Sequence, residues 1–520
     1  MWILTIAVIL VGVFTQANGQ AADVDNFDGI GCKGGKFIEC LSQGSSSGQV
    51  VTPSSSGYNS ARAAYNERFN LKPAAIVYPK SPQDVQKYVK CAALCGIPVV
   101  GYSGGHSYAA YGLGGSNGAL VINLKNLKSF SVQGSVAKFQ TGNRLGDLAQ
   151  KLWDNGQQVL PFGTCPYVGV GGHAAFGGYG PFSRVAGLLH DRVTEAEIVL
   201  ANGTLTTASA TENSDLFWAL CGSAASYAIV TQWTFSTLAA PKTVINYSID
   251  FSSSLSASQV ASLLGAWQSL ALVAPKEMAM LCALGKNYDP NTQGVVLQLT
   301  GSYYGSKSAF DSVVAKWEKA LSPGKINSKV LNWYDALVAT DGQLSTDKPG
   351  PKDTFFAKSL FTKKPVTPSQ WTSFINYLAG RGAKSDTNWF VGIDRTNLFS
   401  STEYELTDLL AAVYGGAIKS QGVDATAFAH RDAIFSFQFY ASSSNSDPPY
   451  PSDGIPFVNG MLNALDPNPQ AAYVNYVDPT LTESQWKLQY YGNHYSRLSA
   501  IKRAVDPHNV FRFPQSIGLH

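Results

Sequence analysis

The sequence predicts an α+β fold: a block carrying two glycine-rich loops, followed by a region built on an antiparallel sheet. Three observations carry that expectation. A strand–helix–strand unit opens directly into SGGHSYAAYGLGG (103–115). A second glycine-rich run, GTCPYVGVGGHAAFGGYG (163–180), follows further along. The middle of the chain then alternates helix-period segments with strands whose two faces differ in polarity.

With 520 residues, 45% of them apolar and 12% aromatic, the chain can bury a large core and form more than one domain. Its 14% charged content and net charge of +3, without a basic run or stripe, exclude a dedicated nucleic-acid binder. Residues 1–19 are apolar from Trp2 to Phe14 and end in Ala17-Asn18-Gly19, the pattern of a cleaved signal peptide. The run is shorter than the roughly 20 residues a membrane span needs, so secretion without a membrane anchor is expected. The sequons at Asn202 and Asn246 agree with export as N-glycan sites. So does the grouping of Cys32, Cys40, Cys91 and Cys95 near the N-terminus. Cys165, Cys221 and Cys282 complete an odd total of 7, and no metal-site spacing occurs among them.

In chain order, AAIVY (74–78) reads as a strand. PQDVQKYVKCAAL (82–94) reads as a helix on the spacing of Val85, Val89, Ala92 and Ala93, closed by Gly96, and IPVV (97–100) as a buried strand. ALVINL (119–124) resumes a strand and residues 145–153 a helix. Strands near 195–200 and 228–235 close the first block. Beyond it, helical spacing recurs at Val260/Leu263/Leu264/Trp267, at Phe310/Val313/Val314/Trp317 and at Trp371/Phe374/Ile375/Leu378. In IFSFQFY, Phe435, Phe437 and Phe439 share one face, against Ser436, Gln438 and Tyr440. In WFVGID, Trp389, Val391 and Ile393 oppose Phe390, Gly392 and Asp394. Leu297 and Leu299 oppose Gln298, Thr300 and Ser302. One antiparallel sheet is expected, its apolar face under helices and its polar face lining a cavity that suits a sugar-like ligand.

Dense glycine lets backbone approach a ligand and exposes N–H groups to it. Neither loop is the dinucleotide fingerprint, because no strand–loop–helix frame with a downstream acid surrounds it. One loop holds His106, the other Cys165. Taken singly, these are an ordinary structural histidine and half a disulfide. Together they sit where glycine leaves side chains accessible to a shared ligand.

These two runs, with the C-terminal YYGNHYSRLSAIKRAVDPHNVFRFPQSI, resemble the berberine-bridge-enzyme-like flavoproteins of the vanillyl-alcohol-oxidase superfamily, within them the fungal gluco- and chitooligosaccharide oxidases. The resemblance spans the mature chain and implies a PCMH-type FAD-binding domain at 20–240 (core about 68–240). It further implies a substrate domain with a helix-covered antiparallel sheet at 241–469, and a C-terminal segment, 470–520, that returns to the FAD domain. It implies FAD attached twice, through His106 to the flavin 8α-carbon and through Cys165 to C6. Flavin contacts are implied at Ser103, Gly104, Gly105, Ser107, Tyr108, Thr164, Val168, Gly171, Gly172, Gly177, Gly178 and Ile229. In AAYVNYVDP (471–479), which matches the family's Tyr-x-Asn-Tyr strand, Tyr476 matches the catalytic base. Tyr473, Tyr108 and Gln438 match sugar contacts. A free phenol near pKa 10 is a poor base, and the matching aspartate partner is Asp394, with Asp478 the rival nearby in sequence. Valine at 168 matches the residue that admits dioxygen. Among the cysteines the family bridge corresponds to Cys40–Cys91, and a second bridge, Cys32–Cys95, is expected beside it.

Three departures stand out. MLCAL (280–284) lacks the relatives' Arg-x-Glu pair, Gly392 replaces a glutamine, and CGSAASY (221–227) replaces a more glycine-rich loop. The expected activity is oxidation of the C1 hydroxyl of a reducing oligosaccharide to a lactone, with O2 reduced to H2O2, by a monomer. An oxidase of an alkaloid or phenolic alcohol on the same fold, and a glycan-binding protein with a degenerate flavin site, are the alternatives.

Overall fold

The computed structural model describes residues 34–46, 48–252, 255–286, 295–391, 412–413 and 416–520. The expected leader, Cys32, Gly392 and Asp394 lie outside the described residues.

Helix Pro82–Leu94 starts and stops where the sequence places it. Ser81 Oγ accepts the Asp84 amide at 3.2 Å, and Pro82 occupies the first turn, where no amide hydrogen is needed. Its face of Val85, Tyr88, Val89, Cys91 and Ala92 is buried. The strands flanking it, Ala75–Val77 and Val99–Tyr102, do not touch each other. Both pair in parallel with Leu120–Asn123, which lies between them. A five-stranded antiparallel sheet follows, in the order Phe130–Gln133, Val136–Gln140, Ile229–Ser236, Val193–Val199, Leu205–Ser209. Cys40 and Cys91 form a disulfide, and Cys95 is disulfide-bonded as well. Cys165, Cys221 and Cys282 stand outside any disulfide.

The middle of the chain forms a larger antiparallel sheet. Its main path runs Lys325–Leu331, Val244–Asp250, Val295–Tyr303, Met278–Lys286, Thr387–Val391, Phe435–Ser443, Phe355–Thr362. One face is apolar: Ile245, Tyr247, Met280, Leu297, Leu299, Phe435, Phe437 and Phe439 share a core with residues of helices Ala257–Val273, Pro368–Arg381 and Gly454–Leu465. Each of these phenylalanines is fully buried, which is worth about 1.5–3 kcal/mol per side chain. The periodic segment expected as one helix through Trp317 is two, Lys307–Val314 and Trp317–Ala320. The Lys316 amide bonds the Val313 carbonyl, tightening the turn so that Trp317 packs edge-on against Tyr247.

The last fifty residues lie against the first half of the chain. Phe511 bridges Val99, and Lys502, fully buried with Asp506, donates to Asp506 Oδ2, Ser226 O and Phe511 O at 2.6, 2.6 and 2.8 Å. The Asp506 carboxylate in turn accepts the Val510 and Phe511 amides. Every polar group of this pair has a partner, the condition under which a buried ion pair is tolerable. No described helix is long and apolar enough to cross a membrane.

Candidate functional site

The two glycine-rich loops are pressed together backbone to backbone. A Cβ on Gly104 would lie 2.1 Å from Gly169 N, and one on Gly169 would lie 2.0 Å from Gly104 N, so only glycine fits either side of this contact. Ser103 Oγ reinforces the seam, donating to Thr141 O and accepting from Gly171 N. Beyond the seam the first loop continues into His106 and Tyr108. The second carries Cys165, whose carbonyl accepts the Val168 amide at 3.3 Å. Gly105 sits at φ +77, where a side chain would strike the Tyr102 ring. Gly177 and Gly178 also have positive φ.

His106 stacks on Tyr65, with ring centroids 4.2 Å apart. Desolvation, and secondarily the Arg144 guanidinium, lower its imidazole to about 3, so the ring is neutral near pH 7. Thr164 and Val168 are half-buried, and Ile229 is buried at the head of its strand. Ser107 Oγ accepts the Tyr111 amide and closes the turn behind His106.

Two features fit a flat, phosphate-bearing cofactor such as FAD. Gly172 is exposed between buried neighbours, and a Cβ there would meet nothing within 4 Å, so bare backbone faces open space. Beside the seam, Thr141 Oγ1 is buried without a hydrogen-bond partner.

Across from these loops stands the polar face of the larger sheet. Gln438 Nε2 donates to Tyr108 Oη at 2.5 Å, and the Tyr108 ring stacks on Tyr476 at 5.6 Å and 7°. The segment 471–479, expected as a strand, is instead a turn: the Tyr476 amide bonds the Tyr473 carbonyl at 3.0 Å. That reversal sets the two rings edge to face, 5.1 Å apart, which no straight strand allows for residues three apart. Tyr473 is 2% exposed. Its hydroxyl accepts from the Gly178 amide and from Asn475 Nδ2, so it buttresses Tyr476 from behind.

The structure brings in a residue that the sequence reading missed. Tyr179, at the end of the second loop, places its hydroxyl 3.1 Å from that of Tyr476 and 3.4 Å from Ser436 Oγ. Its signal was a lone aromatic hydroxyl directly after a glycine pair that fixes its direction. Burial, then the neighbouring Tyr179 and Tyr108 phenols, push Tyr476 well above the usual tyrosine range. Asp478 is engaged elsewhere, paired with Lys358 Nζ at 3.0 Å and accepting from the Thr480 amide and hydroxyl.

At the departures, Met280 and Cys282 belong to the sheet's apolar core. Ala279, Leu281 and Ala283 alternate with them and so take the opposite face. The sheet therefore offers hydrocarbon on that face as well. Of the sequons, Asn202 is exposed. Asn246 is half-buried within a paired strand, donating to Ala336 O and accepting from Ser302 Oγ.

Comparison with known proteins gives two family matches: an FAD binding domain over residues 73–209 and the "berberine and berberine like" family over 472–518. A xylooligosaccharide oxidase of Thermothelomyces thermophilus is 34% identical over 90% of this chain and 92% of its own length. An FAD-linked oxidoreductase of Metarhizium anisopliae is 33% identical over 92% and 91%. A solved structure of glucooligosaccharide oxidase from Acremonium strictum, described with a 6-S-cysteinyl, 8α-N1-histidyl FAD, superimposes with a TM-score of 0.83 at 29% identity, covering 93% of this chain and 99% of that one.

Proposed function

The chain belongs to the berberine-bridge-enzyme-like family of FAD-dependent oxidoreductases, and we propose that within it this protein is a secreted oligosaccharide oxidase. In this reading it oxidises the C1 hydroxyl of a reducing sugar to a lactone, with O2 as oxidant and H2O2 as coproduct. The observation that carries the reading is the stack of Tyr476 on Tyr108, two residues from His106, with Gln438 bonded to the same Tyr108 hydroxyl. It gathers a proton acceptor, a polar anchor and the attachment histidine around one groove.

His106 and Cys165 would hold the flavin covalently. The residues of the seam, Ser103, Gly104, Gly171 and Gly172, would line it, and residues 20–240 and 470–520 would form its domain. When bound, FAD supplies hydride acceptance and passes the electrons on to dioxygen. The remaining work falls to the protein. Gln438 and Tyr108 orient the sugar. Tyr476 takes the C1-hydroxyl proton as hydride leaves, while its own proton moves toward a hydrogen-bonded acceptor. Tyr179 fixes the phenol oxygen in place, Tyr473 backs its ring, and Asp394 remains the proposed carboxylate partner.

A second reading keeps the flavin and exchanges the sugar for an alkaloid or phenolic alcohol. The hydrocarbon surface of Ala279, Leu281 and Ala283 favours it. Purified protein assayed for peroxide on a panel of xylo-, gluco- and chitooligosaccharides beside aromatic alcohols decides between them. Sugar-dependent peroxide is expected. Turnover of the aromatic alcohols alone would replace the first reading with the second.

A further inference from the structure

Behind the second glycine-rich loop lies a cleft that the sugar groove does not explain. Its walls are mainly hydrocarbon, with Leu145, Ala149, Phe162, Phe182, Trp333 and Leu337 prominent, and about 570 Å³ of empty space includes its open mouth. Phe182 packs edge-on against Trp333 and Tyr304, both at 4.8 Å, so the wall is rigid aromatic surface. Gly163 and Thr164, immediately before Cys165, line it as well. Leu145 and Gly146, also lining it, send their amides to the carbonyls of Val168 and Pro166. None of Tyr108, Gln438, Tyr473 or Tyr476 lines this cleft.

We propose that this cleft is the entry path of dioxygen, separate from the groove that takes the sugar. The inference rests on the oxidase reading above. A narrow apolar channel attracts a small apolar gas and repels a hydrated sugar. Its contact with Gly163 and Thr164 would bring the gas to the segment just before Cys165, beside which the reduced flavin would be held. There dioxygen gains two electrons from the flavin and two protons, and leaves as hydrogen peroxide.

Leu337 is half-buried at the cleft, so Leu337→Trp narrows it without disturbing a closed core, and Ala149→Leu narrows it from the opposite helix. In the holoenzyme, stopped-flow should show reoxidation by O2 slowed about tenfold in both variants, with reduction by sugar unchanged. Crystals of the wild-type protein under xenon pressure should show xenon in the cleft, and Leu337→Trp crystals should show none. Wild-type reoxidation rates in both variants, or no xenon in the wild-type cleft, would overturn the path while leaving the oxidase reading intact. A wild-type holoenzyme that sugar reduces but air does not reoxidise would overturn both.

Discussion

Gly104→Ala tests whether the seam between the two loops aligns the flavin attachments. The new methyl carbon would lie 2.1 Å from Gly169 N and 2.6 Å from Gly169 Cα. Carbon contacts become comfortable near 3.5 Å, so the loops must part by more than about 1 Å. The obstacle is backbone, which cannot swing aside as a long side chain can. Overpacking of this kind costs about 1–3 kcal/mol, which a protein of this size survives, but it moves His106 relative to Cys165. A 1 Å misplacement of reacting groups costs on the order of 10²-fold. Folded Gly104→Ala protein should therefore carry flavin on one attachment or none. The assay is acid precipitation followed by peptide mass spectrometry of the pellet, scoring flavin on the His106 and Cys165 peptides. Gly172→Ala is the companion. Its methyl group meets no protein atom within 4 Å, so thermal stability of the apoprotein should not change while flavin retention falls. Wild-type levels of doubly attached flavin in Gly104→Ala would refute the alignment argument.

Four further outcomes are expected. Tyr476→Phe removes a hydroxyl bonded to Tyr179, so folding and flavin attachment should persist while steady-state turnover falls roughly 10²–10⁴-fold. Val168→Ile should slow air reoxidation and spare sugar reduction in stopped-flow traces, because one methylene fills the space that a diatomic molecule needs in a packed interior. Lys502→Met leaves Asp506 charged and buried, so urea denaturation should show a loss of about 3–5 kcal/mol. Burial lowers His173, His190 and His430 to about 4 each, below the roughly 6.5 of an unfolded histidine. Between those values the unfolded chain binds more protons, so their contribution is intact above pH 6.5 and is lost as pH falls toward 4. Thermal melts from pH 7 to 4.5 should show the midpoint dropping through that window.

Local signals were legible wherever one segment determined its own structure. Helix Pro82–Leu94 carried its cap, its proline and its apolar stripe in adjacent residues. The Phe435/Phe437/Phe439 alternation declared both faces of its strand. Pairing between distant segments was not legible. Nothing in the residues 74–124 says that Leu120–Asn123 slips between the two strands before it, because parallel order is set by crossover packing. Tyr-x-Asn-Tyr alternates like a strand, yet hydrogen bonds from Gly178 and to Tyr473 O bend it into a turn. The Tyr179–Tyr476 contact joins residues 297 apart in sequence, and Asp478 proved committed to a lysine on a strand of the other sheet. At the candidate site the placing of His106 and Cys165 on two adjoining loops was readable because glycine marks bare backbone. The partners of the base were not, since they depend on which distant loops meet.

The Lys502 staple also dictates an order of assembly. Lys502 reaches back to Ser226, 276 residues earlier in the chain, and Phe511 pairs with Val99. A nascent chain that has emerged only as far as the larger sheet has every strand of that sheet and most of the helices that cover it. Its first half still lacks the segment that closes its wall. That half must wait, partly open, until the final residues leave the ribosome, because domains fold as their own contacts become available. Its exposed apolar surface during the delay makes it the vulnerable half in biosynthesis, and a premature stop near residue 470 releases a finished sheet tethered to an unfinished partner.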